Sequence, residues 1–161
     1  MKLQQQMRLW VQRGYIRQLD LQLANQLVGD TAQPVLWLAC LLVSLYTGAG
    51  HVCLPLQGLR RLPPSTLSGQ QWTELLDLLE DNDADWQSVL SQADSVTVVE
   101  RQVVIDWSCS TAVATPLVLW RQRLYLLRYW RDEVQLGLRL RQLARPLPQL
   151  QLPDLLARYE G

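Results

Sequence analysis

The sequence predicts a mainly α-helical domain of about five or six helices with a small β-hairpin near residues 116–130. The chain has 161 residues, of which 48% are hydrophobic and 19% are charged, as is typical of a globular domain that buries a core. Leucine, glutamine, arginine and alanine, all good helix formers, are frequent. Apolar residues recur at helical spacing through most of the N-terminal half, whereas two short apolar-aromatic runs near residue 120 have the pattern of paired strands.

The N-terminal part of the chain predicts three helices. An amphipathic helix is predicted over residues 2–13, because its apolar residues recur at intervals of three or four. A second helix is predicted from Leu21 to Val28, with Asp20 as its N-terminal cap. The third has Pro34 in its first turn and Gly48 at its end, and it is apolar on all sides. Its apolar run of about 12 residues is shorter than a membrane span, so we expect a buried core helix and no contact with a membrane.

The middle of the chain predicts a loop and two more helices. Glycine, proline and serine mark residues 57–69 as a loop. A helix is predicted over residues 70–80, where a tryptophan and three leucines share one face, and another over residues 84–93 with Asp83 as its cap. Beyond them, the valine-rich runs between residues 96 and 105 are of strand type.

The hairpin prediction rests on the segment PLVLW-RQ-RLYLLRYW, residues 116–130. Two apolar-aromatic runs flank a two-residue connection, although Arg-Gln lacks the Asn-Gly or Asp-Gly that tight hairpin turns prefer. A helix is then predicted over residues 131–144 and is stopped by the prolines that follow. We assign residues 1–145 to one domain and residues 146–161 to a linker that leads toward a domain absent from this chain.

Charge and cysteine content restrict the functional classes. The formal net charge is zero, so the composition does not require a nucleic-acid partner. Residues 74–106 contain nine acidic residues and one arginine, a block that we interpret as a solvated surface. Three cysteines cannot all pair, and no secretory signal is recognisable, so we expect reduced thiols and a cytoplasmic protein.

The segment Gly48–Leu56, GAGHVCLPL, contains the only histidine of the chain and looks like a site. A structural zinc site needs about four ligands at short paired spacings, and this segment offers two. A nucleophilic pair of Cys53 with His51 lacks a third group that would orient the base. A phosphate loop needs a lysine after its glycines, but the only lysine is Lys2. We therefore predict no catalytic, cofactor-binding or metal-binding residue here. The segment is interpreted as the exit from a buried helix, with a partly buried His51 and three aliphatic residues that alternate into the core: Val52, Leu54 and Leu56.

A nucleic-acid interface is an alternative at the hairpin, because arginine and aromatic side chains together suit phosphate contact and base stacking. The residues in question are Arg121, Arg123, Arg128 and Arg131. The other interpretation is a hairpin that buries its apolar side chains on one face and exposes its arginines to solvent on the other, with no role in DNA binding.

Three stretches occur in a characteristic order: LDLQLANQL at 19–27, LACLLVSLYTGAGHVCLPL at 38–56 and PLVLWRQRLYLLRYWRDE at 116–133. Together they resemble the N-terminal domain of RecD, the alpha subunit of exodeoxyribonuclease V, the RecBCD enzyme. The resemblance extends over most of residues 1–145, although the part between 57 and 110 is not distinctive.

The resemblance implies a docking domain without catalysis of its own. The parent would be an ATP-dependent 5′-to-3′ DNA helicase of double-strand-break repair and recombination, with ATP and Mg in motor domains whose motifs do not occur in this chain. Its main partner would be a RecC-like subunit, with a RecB-like subunit in the same complex and DNA reached through that complex. Partner contact is expected at the hairpin and at the loop from Leu54 to Leu59. The residues chosen for it are Trp120, Tyr125, Tyr129, Trp130, Leu54 and Leu56.

Overall fold

Six helices and one four-stranded sheet are found in the described part of the chain, which confirms the mainly α fold class. The computed structural model describes residues 2–29, 33–59, 61, 63–65, 67–79, 85–99 and 115–144. The helices are α1 (Lys2–Gln12), α2 (Gln18–Val28), α3 (Pro34–Gly48), α4 (Gly69–Asp77), α5 (Trp86–Ser91) and α6 (Leu127–Leu143). The strands are β1 (Leu54–Pro55), β2 (Val96–Val98), β3 (Leu117–Trp120) and β4 (Arg123–Leu126). The predicted linker at 146–161 and the valine-rich run at 103–105 lie outside the described residues.

Helix α3 lies at the centre of the main core. Every residue from Val35 to Leu45 is buried, as the all-round apolar sequence predicts. Pro34 is its first residue and Gly48 its last, which confirms both predicted ends. No helix among the described residues is long and apolar enough to cross a membrane.

Helix α2 packs along α3, and the two are joined by a buried polar network around Asp20. The prediction that Asp20 caps α2 is wrong, because α2 begins at Gln18 and Arg17 occupies the cap position. Asp20 instead accepts the backbone N–H of Arg17 at 3.0 Å and turns its other oxygen toward the Ser44 hydroxyl on α3, at 2.6 Å. Arg17 and Asp20 both form hydrogen bonds to Ser44 of α3, and α2 begins about one turn earlier than predicted.

Helix α5 packs against α3, and α4 contributes Trp72 and Leu75 to the same core. Both helices have well-formed N-termini. The side chain of Ser68 accepts the backbone N–H of Gln71, whose amide oxygen accepts the N–H of Ser68 in return. Helix α5 is capped by Asp85, which accepts the backbone N–H of Gln87 at 3.1 Å. The predicted cap, Asp83, lies outside the described residues.

The four strands form one sheet in the order β1-β4-β3-β2. Strands β3 and β4 are the predicted antiparallel hairpin, β1 pairs antiparallel with β4, and β2 pairs parallel with β3. The valine-rich strand β2 and the short β1 therefore extend the hairpin into a sheet. Both additions depend on contacts distant in sequence, and local patterns do not reveal such contacts.

The hairpin is shorter than predicted, because its second run is divided between a strand and a helix. Strand β4 ends at Leu126, opposite Leu117, and residues 127–130 already belong to α6. The N–H of Leu127 still donates to the Pro116 carbonyl at 2.9 Å, but Pro116 has no N–H to donate in return, so strand pairing ends there. The predicted start of the last helix at residue 131 is wrong by one turn.

The two faces of the sheet belong to two cores. Leu117, Leu119 and Leu124 face the main core around α3, whereas the alternate residues Val118 and Tyr125 face a second, smaller core. That second core is closed by Trp130 of α6 and has Val118 opposite Tyr125 in the register of the hairpin. The sheet thus separates the main helical layer from α6, and α6 lies on the outer side of the domain.

Candidate docking surface and hairpin groove

The turn of the hairpin has a backbone conformation that its sequence does not favour. Arg121 and Gln122 have φ angles of 47° and 59°, both in the left-handed region, as a two-residue hairpin turn with primed geometry requires. Glycine or asparagine normally occupies such positions. The Arg121 guanidinium lies 4.7 Å from the centre of the Trp120 ring, a contact that stabilises the turn from one side.

The six residues chosen from the sequence for partner contact divide into two groups. Leu54 and Tyr125 are completely buried, and Trp130 is 3% exposed, so these three side chains pack inside the domain. Leu56, Trp120 and Tyr129 are partly exposed and border the surface.

A groove between the hairpin and α6 contains polar atoms without partners. This hairpin groove is lined by Trp120, Trp130, Glu133, Val134, Gly137, Leu138 and Arg141 and has a volume of about 200 Å³. Among the described residues, three buried atoms of its lining side chains have no hydrogen-bond partner: Trp120 Nε1, Trp130 Nε1 and Glu133 Oε2. Burial also raises the pKa of Tyr125, so its hydroxyl stays protonated.

Helix α6 exposes large apolar side chains on another face. Leu136, Leu140 and Leu143, here called the leucine stripe, are 58%, 55% and 81% exposed. Their spacing of four and three residues places them on one side of the helix. Sequence reasoning predicted the helix but did not select these leucines. The segment VQLGLRLRQL could have indicated them, because its four leucines do not all fit on one buried face of a helix.

The four arginines of the DNA alternative are all exposed: Arg121, Arg123, Arg128 and Arg131. They come from the turn, from β4 and from the first two turns of α6.

The GAGHVCLPL segment contains an exposed histidine and one partly buried thiol. His51 is exposed and lies against Tyr46 with 5.3 Å between the ring centres, so the expectation that it is partly buried is wrong. Val52 is 50% exposed and does not alternate into the core, whereas Leu54 does. Burial raises the pKa of the Cys53 thiol, which opposes formation of a nucleophilic thiolate. Among the described residues no three metal-ligating side chains cluster.

The sequence matches the family model described as RecBCD enzyme subunit RecD, N-terminal domain, over residues 12–125. That match covers more than half of the chain. The chain belongs to this family. It is therefore a RecD N-terminal domain, as the three motifs of the sequence indicate. No curated protein matches the chain significantly.

The matched part of this RecD N-terminal domain runs from the end of α1 to Tyr125 in β4. It includes α3, strands β1 to β3, most of β4 and the GAGHVCLPL segment. Helix α6 follows the matched residues and contributes the leucine stripe and most of the hairpin groove. The surface features of this chain thus lie mainly on an element that the family match does not include.

Proposed function

We propose that this RecD N-terminal domain docks a RecD-like subunit into a RecBCD-type complex, mainly against a RecC-like subunit, and performs no catalysis itself. The observation that carries the proposal is the leucine stripe. Three large aliphatic side chains more than half exposed on one helix face favour burial against another protein.

The position of α6 supports a docking role. Its other side is held to the sheet by Trp130, which is buried in the second core. The stripe is therefore on a helix whose N-terminal end the domain holds in place. A helix that is already formed loses less backbone entropy on binding than an unfolded segment would, which favours its use as a contact surface.

The chemistry of the chain supports a non-catalytic role. A nucleotide loop of the Walker type needs a lysine after its glycines, and Lys2, the only lysine, has no such glycines before it. We propose that ATP and Mg act in motor domains of the parent helicase, which functions in DNA repair and recombination. A RecB-like subunit would belong to the same complex, in the cytoplasm.

The proposal is tested with the full-length chain and the RecC-like subunit of the same organism. The two are co-expressed, and the dissociation constant is measured for the wild type and for Leu140→Glu. We expect the charge to weaken binding by about 100-fold or more, because an ion would be buried in an apolar contact.

A matched control is available on α2, where Leu19 is 60% exposed. Leu19→Glu adds the same charge at a similar exposure and should bind as the wild type does. Thermal unfolding of both variants checks that the fold is intact. Failure of the wild-type chain to bind the RecC-like subunit would overturn the proposed function.

Direct DNA contact is the second candidate, favoured by the exposure of all four arginines of the hairpin and the start of α6. Each phosphate contact should add about 0.9 to the slope of log affinity against log salt. Binding to single- and double-stranded DNA is therefore measured at several salt concentrations for the wild type and for Arg121→Gln/Arg123→Gln. Salt-sensitive binding that the double variant loses would establish this role, and unchanged weak binding would exclude it.

A further inference from the structure

We infer that the hairpin groove receives an apolar segment of the RecC-like subunit, whose backbone approaches α6 at Gly137. The inference rests on the proposed docking function and names a second contact beside the leucine stripe. It begins from a glycine that nothing in the described part of the domain requires.

Gly137 lies in the interior of α6, where glycine is less favourable than any residue except proline. A glycine inside a helix usually has a packing or functional reason. At Gly48 the reason is internal, because a Cβ there would overlap the Arg17 guanidinium. At Gly137 a Cβ would meet no atom of the described residues within 4 Å. Packing inside the domain does not explain this glycine, whereas the close approach of another backbone does.

The opposite wall of the groove also contains residues that its backbone disfavours. Trp120 lines the groove and leads directly into the hairpin turn, where Arg121 and Gln122 adopt the left-handed conformation that favours glycine. The groove is therefore bordered by a glycine where the helix favours a side chain and by side chains where the turn favours glycine. Natural proteins break such local preferences mainly at functional sites.

The lining of the groove favours an apolar, uncharged occupant. Four of its seven residues are large and apolar: Trp120, Trp130, Val134 and Leu138. The two charged residues, Glu133 and Arg141, have opposite signs, so the lining has no net charge that would select an ion. Glu133 also lies close enough to Arg123 for their charges to interact. An aliphatic or aromatic side chain therefore suits the groove better than a charged one, whose desolvation would be costly.

Continuity with the leucine stripe indicates that the occupant belongs to the docking partner. Gly137 and Leu140 are three residues apart and are therefore neighbours on the surface of α6. Both are exposed. A protein that buries the stripe reaches the groove across the same helix. One apolar segment of the partner would lie over Gly137 and place its side chains in the groove.

The test enlarges Gly137 in the full-length chain and measures the dissociation constant for the RecC-like subunit. Gly137→Ala should weaken binding by about 10-fold and Gly137→Leu by more, because the cost of overpacking grows with the added volume. Gly69→Ala is the matched control, since Gly69 is exposed on α4 and a Cβ there also meets no atom of the described residues within 4 Å. The control should bind as the wild type does. The free Gly137→Ala chain should unfold at the same temperature as the wild type or higher, because alanine is the better helix former.

The outcomes separate this inference from the proposed function and from other occupants. Equal affinity of Gly137→Leu and the wild type overturns the groove inference and leaves docking through the leucine stripe to the Leu140→Glu test. Equal weakening by Gly69→Ala also overturns it. A lower unfolding temperature of the free Gly137→Ala chain would assign the groove to another part of the same chain. A wild-type dimer in sedimentation that Gly137→Ala dissociates would assign it to a second copy, and either result overturns the inference. Absence of wild-type binding overturns both proposals.

Discussion

Arg17 donates a hydrogen bond of 2.6 Å to the Asp20 carboxylate, whose side chain is completely buried between α2 and α3. The same guanidinium nitrogen donates to the Ser44 carbonyl at 2.8 Å, near the C-terminal end of α3. One arginine therefore neutralises a buried acid and adds a donor to the Ser44 carbonyl, which also accepts from the Thr47 hydroxyl at 2.9 Å. The Asp20 carboxylate in turn raises the pKa of Arg17 and keeps its cation charged. This network ties the start of α2 to the end of α3.

Neutralising Asp20 should destabilise the domain. In Asp20→Asn, an amide replaces the carboxylate, so Arg17 loses its counter-ion. The amide NH2 group of the asparagine would also point at groups that donate hydrogen bonds to Asp20 in the wild type. Because the Arg17 side chain is 47% exposed, solvent screens part of its attraction to Asp20. The loss of stability therefore comes mainly from the buried hydrogen bonds of the Asp20 side chain. We expect the free energy of unfolding to fall by about 2 kcal/mol in urea denaturation. Asp94→Asn at an exposed position is the control, and equal effects of the two changes would contradict a structural role for Asp20.

Substitution of Gly48 by alanine should destabilise the wild type and stabilise a variant that lacks the Arg17 side chain. A Cβ at this position would overlap the Arg17 guanidinium, which would have to leave Asp20 and Ser44. Gly48→Ala should therefore lower the free energy of unfolding by about 1–2 kcal/mol, although alanine is the better helix former. In an Arg17→Ala background the same change should stabilise by up to about 1 kcal/mol. The same sign in both backgrounds, measured by thermal unfolding, would show that the close approach is unimportant.

Glycine at the hairpin turn should stabilise the protein. Gln122 has a φ of 59°, where a side chain costs about 1–2 kcal/mol relative to glycine. Gln122→Gly removes this strain and keeps both the Arg121 contact with Trp120 and the bond from the Leu56 N–H to the carbonyl of residue 122. We expect a gain of about 1 kcal/mol in chemical denaturation. Gln122→Ala retains its Cβ and serves as the control, so an equal gain there would disprove the explanation.

Alkaline pH should destabilise the domain partly through Cys40. Burial raises the pKa of this thiol to about 12, whereas in the unfolded chain it titrates near 9.0. Below pH 9 the thiol is neutral in both states and has no effect. Above pH 9 only the unfolded state loses the proton, so the free energy of unfolding falls as the pH rises.

The contribution of Cys40 is isolated by comparison with Cys40→Ala. Between pH 8 and pH 10 the wild type should lose about 1.4 kcal/mol more than the variant, since other titrating groups act in both proteins. The measurement is urea denaturation at both pH values. Parallel losses in the two proteins would show that the folded-state thiol titrates normally.

Local patterns predicted most of the helices, because each depends on spacing and capping within one segment. The run from Val35 to Leu45 is apolar on every side and can only be a buried helix. Pro34 and Gly48 define its ends by their backbone preferences. In the same way the amphipathic spacing of α1 and α4 predicts which faces are buried.

The sequence by itself determined the fold class, the central helix, the existence of the hairpin and the family of this chain, since all of these follow from residue order. Tertiary structure alone decided that Asp20 is a buried partner of Arg17, that β4 ends opposite Leu117, and that Tyr125 is buried while Leu136 is exposed. These outcomes depend on contacts between residues far apart in the chain. Asp20 joins a buried hydrogen-bond network because α3 supplies Ser44 as its partner. Tyr125 is buried because Trp130 of α6 packs in the same core.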